Sequence, residues 1–157
     1  MELSELLMME HAALRTRLNE LLQTQSIELF QKVNRFVLEC HAKIEDEVFF
    51  PLLHFDAQIS QNLRKLEADH KLISTLSSNM IEWIKEGKRE LFQRRIETYA
   101  KTVLEHNLQE EKLVFPYWKR VSKNDAKEAL EKAKKIIEKF GEREYLEFTG
   151  ISKNFFD

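Results

Sequence analysis

The sequence predicts an all-α protein, an antiparallel up-down four-helix bundle with an additional C-terminal helix and tail. Three observations carry that expectation. Only three glycines and two prolines punctuate 157 residues, so long helices joined by short turns follow. Apolar residues recur at intervals of three, four and seven, the period of a helix with one buried face. Four successive segments each place a histidine on that face. The length suits one domain with a substantial core.

The first segment runs from Ser4, a residue type suited to an N-cap, to about Gln23, with Leu7, His11, Leu14, Leu18 and Leu21 on one stripe. Ser26 caps the second, which reaches about Phe50 and buries Ile27, Phe30, Val33, Val37, Ile44 and Val48. His41 and Glu45 interrupt its apolar face. A buried, ionised glutamate without a partner is costly, so a cationic group is expected beside Glu45. Pro51 ends or bends this helix. His54, in the short connection that follows, is turned well off the face of His41 and is left out as a surface histidine.

The third helix starts near Asp56 or Ser60 and ends at Gly87. Leu63, Leu66, Ile73, Met80 and Ile84 trace its buried side, and His70 lies on it. The fourth runs from about Arg89 to Trp118, with Phe92, Ile96, Tyr99, Val103 and Leu113 on the stripe of His106 and Glu110. Tyr99 is read as a core residue whose hydroxyl is bound away from that stripe. Residues 1–120 thus form the bundle. Within 121–157, the Lys/Glu-rich stretch 124–140 is amphipathic, with Ala126, Ala129, Ala133, Ile137 and Phe140 on one side. After Gly141 the tail carries Tyr145, Leu146, Phe148, Ile151, Phe155 and Phe156. It is too apolar to be left in water and is expected to pack on the bundle or on a partner.

The chemistry lies in an internal repeat. His41-Ala-Lys-Ile-Glu45-Asp46-Glu-Val-Phe-Phe50-Pro51 aligns without a gap on His106-Asn-Leu-Gln-Glu110-Glu111-Lys-Leu-Val-Phe115-Pro116. Both copies have a His, a Glu four residues on, a second acid, an aliphatic and a closing Phe-Pro. Residues four apart share one helix face, so each pair presents an imidazole and a carboxylate together. With His11 and His70 from the other two helices, the inward set becomes His11, His41, Glu45, His70, His106 and Glu110. Side chains from facing helices build metal sites in such bundles. Glu10-His11-Ala-Ala-Leu and Asp69-His70-Lys-Leu-Ile form a second, shorter echo.

Imidazole and carboxylate donors suit zinc as well as iron, and affinity order alone favours zinc. The His-Glu-x-x-His signature of zinc proteases is absent. A carboxylate-rich di-iron site needs two Glu-x-x-His pairs, and only Glu67 to His70 supplies one. The ligand order and both repeats, over about residues 4–118, resemble the hemerythrin-like (HHE cation-binding) family, in its branch with four histidines and two glutamates. The resemblance implies two non-haem iron ions, ahead of zinc or manganese. It also implies two histidines on each ion, Glu45 and Glu110 bridging, and an oxo or hydroxo bridge. It leaves open which histidines share an ion. Oxygen-carrying hemerythrins have a fifth histidine four residues after the third-helix ligand; here that position is Ser74, which implies a more open centre.

A formal charge of −2 with interspersed signs gives no nucleic-acid footprint. Hydrophobic residues at 43%, without a run approaching a membrane span, speak against a membrane protein. The single Cys40 excludes an intramolecular disulfide and is read as a buried apolar thiol. No secretory signal is evident, so a cytoplasmic location is expected. The functional expectation is a di-iron protein that binds dioxygen, nitric oxide or peroxide for sensing, scavenging or stress protection. The alternatives are a di-iron enzyme (nitric-oxide reductase, peroxidase or iron–sulfur cluster repair) and a metal-controlled interaction module using residues 121–157 toward a second copy or a protein partner.

Overall fold

The computed structural model describes residues 1–156. Helix α1 spans Leu3–Thr24. The cap is not Ser4: Glu2 and Glu5 form a reciprocal capping box, the Glu2 N–H donating to Glu5 Oε2 at 2.9 Å. Helix α2 is continuous over 27–52 but changes winding along its length. Ile27–Phe36 is α-helical and capped by Ser26, whose Oγ accepts from the Leu29 N–H. Val37–His41 and Glu45–Phe49 are π-turns separated by Ala42–Ile44, and Phe50–Leu52 closes as a tight 3-10 turn containing Pro51.

Helix α3 is Ala57–Lys85, capped by Asp56, whose carboxylate accepts from the Ile59 N–H at 2.8 Å. It ends at Gly87, whose φ of 72° is left-handed. There the Lys88 N–H donates to Trp83 O at 2.8 Å and the Gly87 N–H to Ile84 O at 3.1 Å, the paired bonds of a glycine C-terminus. Helix α4 is Arg89–Leu113, shorter than the pattern suggested because Pro116 forces Phe115–Arg120 into a 3-10 segment.

These four helices form the antiparallel bundle. Leu7, Leu14, Leu18 and Leu21 of α1, Phe30, Val33 and Phe36 of α2, Leu63 and Ile73 of α3 and Phe92, Ile96 and Val103 of α4 are all buried. At one end Phe30 meets Phe92 and Tyr99 edge-on at 5.2 and 5.0 Å. The Tyr99 hydroxyl donates to Asn34 Oδ1 at 3.0 Å, away from the polar interior. At the other end Phe49 packs on Phe115 and Trp118, each at 5.0 Å, and the indole N–H donates to Glu2.

Helices α5 (Lys123–Phe140) and α6 (Glu142–Thr149) lie outside the bundle and pack on α1 and α2. Ala129, Ala133, Ile137 and Phe140 of α5 are buried, and small residues at two of these positions allow close approach. From α6 and the chain beyond, Tyr145, Phe148 and Ile151 are buried, whereas Phe155 is exposed. No helix among the described residues is long and apolar enough to cross a membrane.

Candidate metal centre

Midway along the bundle the apolar core is interrupted by a compact polar cluster. His11 comes from α1, His41 and Glu45 from α2, His70 from α3, and His106 and Glu110 from α4; none is more than 7% exposed. The two π-turns bracket the α2 pair. In each, the N–H closing the turn bonds five residues back, Ala42 to Val37 O and Phe50 to Glu45 O. Such widened turns recur at functional sites because they re-aim side chains without breaking the helix.

The donor atoms converge in two overlapping groups. His11, His41, Glu45 and Glu110 form one, and Glu45, His70, His106 and Glu110 the other; within each, one donor atom per residue lies within 4.8 Å of all the rest. Both glutamates belong to both groups. Glu45 Oε1 is 3.2 Å from His41 Nε2 and 3.2 Å from His70 Nε2, and Glu110 Oε1 is 2.9 Å from His106 Nε2. His11 Nε2 is farther, 3.6 Å from Glu110 and 3.9 Å from Glu45.

Two donors each ~2.1 Å from one cation and at right angles lie ~3.0 Å apart. The three shortest separations match that value. The same atoms are hydrogen-bond orphans: His11 Nε2, His41 Nε2, His70 Nε2, His106 Nε2 and both oxygens of Glu45 and Glu110 are buried with no partner. Leaving so many polar atoms unsatisfied in a dry interior is costly. A pair of cations between the imidazoles, sharing the carboxylates, would satisfy all eight.

A set of acids surrounding the cluster orients the histidines. Glu10 Oε1 pairs with His41 Nδ1 at 2.8 Å, Asp46 Oδ1 with His70 Nδ1 at 2.8 Å, and Asp69 Oδ2 with His106 Nδ1 at 3.1 Å. An ionised carboxylate can only accept, so each Nδ1 carries a proton, and an imidazole holding no second proton turns its Nε2 lone pair inward. Each acid is a chain neighbour of one inward residue yet serves the histidine of the next helix: α1 supports α2, α2 supports α3, α3 supports α4. Glu111 of α4 would close the circuit on His11, but stands 3.9 Å from its Nδ1.

The repeat now has a structural meaning. In both copies the second acid and the closing Phe act on the lone histidine of a neighbouring helix. Asp46 pairs with His70 while Phe50 stacks on its ring at 5.9 Å; Glu111 approaches His11 while Phe115 stacks on it at 5.2 Å. The pairs α1–α2 and α3–α4 thereby contribute equivalent parts. Sequence reasoning missed Glu10, Asp46, Asp69 and Glu111 as supporting residues. Their adjacency to His11, Glu45, His70 and Glu110 was the signal, but the pairing runs across helices.

In the metal-free chain the cluster is electrostatically tense. Burial alone would push the Glu45 carboxyl up, but His41, His11 and His70 hold it well below the usual range. Burial would likewise lower the His70 imidazolium, yet the hydrogen bond to Asp46 and the negative charges of Asp46 and Glu45 raise it to about 10. His106, its ring centroid 4.5 Å from that of His70, is pushed down to about 4 by burial, reinforced by the His70 charge. Two such close rings do not both hold an extra proton.

The remaining candidates lie outside the cluster. His54 is exposed and pairs through Nδ1 with Ser60 Oγ at 2.8 Å. Cys40 is buried, and burial raises its thiol far above neutral pH, so it offers no thiolate. Ser74 is exposed and lines a surface groove of about 510 Å³ with Lys43, Asp46, Lys71 and the edge of His70. His70 is the least buried of the six inward residues.

Among known protein families, residues 2–118 match the hemerythrin HHE cation binding domain. No curated protein and no solved structure gave a significant match.

Proposed function

The chain belongs to the hemerythrin HHE cation-binding family, and from that premise we propose that it holds two non-haem iron ions and binds dioxygen or nitric oxide at them, for sensing, scavenging or protection. In this reading His11 and His41 serve one ion, His70 and His106 the other, and Glu45 and Glu110 are shared. The observation that carries it is the convergence of eight buried, unpartnered donor atoms in two groups with both glutamates in common.

Each half supplies two imidazole nitrogens and one oxygen from each glutamate, four donors against the six that octahedral non-haem iron accepts. That leaves positions for small ligands on both ions, and iron there would supply reversible redox change and diatomic-ligand binding. The chain's own residues do the rest. Glu10, Asp46 and Asp69 fix three imidazoles in the tautomer that offers Nε2, and Phe50, Phe115 and Phe49 keep bulk water from the cluster. The groove beside Ser74 is lined by His70, the most exposed of the six inward residues, and offers a diatomic ligand a route from solvent.

Metal analysis and an absorption spectrum of protein from iron-replete cells test the reading. Two irons per chain are expected, with a spectrum that changes on anaerobic nitric oxide. One tightly bound zinc and no spectral response would refute it. Turnover with a reductant under the same anaerobic conditions separates an enzyme from a stoichiometric binder.

A further inference from the structure

Helices α5 and α6 lie beyond the part of the chain that matches the family, yet one of their side chains reaches the apparatus around the cluster. The Tyr145 hydroxyl donates to Glu10 Oε2 at 2.7 Å, while Glu10 Oε1 pairs with His41 Nδ1 at 2.8 Å. Tyr145 and Glu10 are fully buried and His41 is 2% exposed. We propose that α6 is coupled to the His11/His41 half of the centre through the chain Tyr145–Glu10–His41, with Tyr145 as a positioning residue for that half alone. The inference rests on the two-metal reading above.

The two halves of the centre are not equivalent in the acids that support them. Asp69 is the counterpart of Glu10 in the other helix pair, and Asp46 serves the other histidine of that half. Their side chains are 28% and 40% exposed, so their remaining lone pairs are open to solvent. Glu10 has no access to water. Its second oxygen depends on Tyr145, and with both oxygens held the carboxylate has one orientation, the one that aligns Oε1 with His41.

The docking of α6 reinforces the selectivity. Arg17 of α1 donates to the carbonyls of Glu147 and Phe148 at 3.1 and 3.5 Å, and Arg35 of α2 donates to Phe140 O at 3.0 Å and pairs with Glu144. Phe36 of α2 lies stacked against Phe148 at 4.2 Å and against His41 at 6.2 Å. Thus α6 is tied to the two helices that carry His11 and His41. Linkage makes the effect reciprocal: a cation in that half tightens α6, and release of α6 loosens that cation. The C-terminal helix becomes a surface whose docking reports occupancy of one half of the centre.

The test uses the full chain as wild type, Tyr145→Phe and Glu10→Gln, with anaerobic Co(II) as the probe. Stepwise affinities come from competition with a chromophoric chelator, and α6 docking from amide hydrogen exchange with and without Co(II). Wild type is expected to bind two ions and to slow exchange in α6 when loaded. Tyr145→Phe should weaken one step ~10-fold and leave the other unchanged, with the metal effect on α6 exchange much reduced. Glu10→Gln should weaken the same step. Both steps unchanged, both weakened equally, or α6 exchange indifferent to metal in wild type would overturn the coupling while leaving a two-ion centre intact. Failure of wild type to bind two ions would overturn the metal reading and the coupling with it.

Discussion

Replacing Glu45 with alanine tests the shared-carboxylate arrangement most directly. Glu45 is fully buried, and its oxygens face His41, His70 and His11 at 3.2, 3.2 and 3.9 Å. Its removal leaves each half with three of four donors. Loss of a residue that only orients a ligand weakens metal binding ~10–100-fold, so loss of the ligand itself should cost about 100-fold in each half. Wild type melted at free metal 100 times Kd gains about 2.7 kcal/mol per ion, about 5.4 kcal/mol for two. At roughly 2–4 °C per kcal/mol for a chain of this size, the melting temperature should rise by roughly 11–22 °C. At the same metal concentration the variant sits near its new Kd and gains only about 0.4 kcal/mol per ion, a rise of roughly 2–3 °C. Calorimetry of both proteins with and without anaerobic Fe(II) reads the difference. A variant that still rises by more than ~10 °C would refute the sharing of Glu45. His54→Ala, at an exposed histidine, should keep the full wild-type shift.

Asp69→Ala removes the partner of His106 Nδ1 and should weaken one metal-binding step ~10–100-fold, seen in the same chelator competition; an unchanged second step and an unchanged first would contradict the supporting role. Metal uptake at neutral pH should release protons, because His70 stays protonated up to about 10 in the metal-free chain and the cation must displace that proton. The sign is fixed by the direction of the shift. A folded-state value raised above the ordinary 6.5 contributes stability that is complete below 6.5 and lost as pH rises through 10, so metal affinity should climb over the same window. Calorimetric titration in two buffers of different ionisation enthalpy measures the proton count, and none released at pH 7 would count against it. Gly87→Ala meets open space but must adopt a φ of 72°; a loss of about 1 kcal/mol in denaturant unfolding is expected, with metal stoichiometry unchanged.

The six inward residues were legible because helical spacing is a local property. His41 with Glu45, and His106 with Glu110, share a face whatever surrounds them, and Pro51, Gly87 and Pro116 mark where the faces end. The apolar stripe of α1 was legible for the same reason. What escaped the sequence depends on the third dimension or on competition between near-equal local choices. Pairing Glu10 with His41 requires knowing that α1 and α2 lie side by side at that height. The choice of Glu2 over Ser4 as the α1 cap turns on a reciprocal bond with Glu5 that either start could have bypassed. The π-turns in α2 are invisible in residue types. The residues flanking them have ordinary right-handed helical backbone angles, as Phe36 and Ile44 do. Tyr145 was legible as apolar surplus in the tail, but nothing local told that its hydroxyl would meet Glu10.

The wide turns of α2 have a consequence for how the chain tolerates changes in length. A π-turn holds about one residue more than an α-turn, so α2 carries a spare residue on either side of Ala42–Ile44. A one-residue deletion within Val37–His41, outside His41 itself, can be absorbed by tightening that turn, leaving Phe30 and Glu45 on their present faces. The same deletion in α4 has no slack to draw on. Placed at the equivalent position before His106, it would rotate everything beyond it by about 100°, carrying His106 and Glu110 together out of the interior. Two helices with the same repeat are therefore unequal in the edits they can survive.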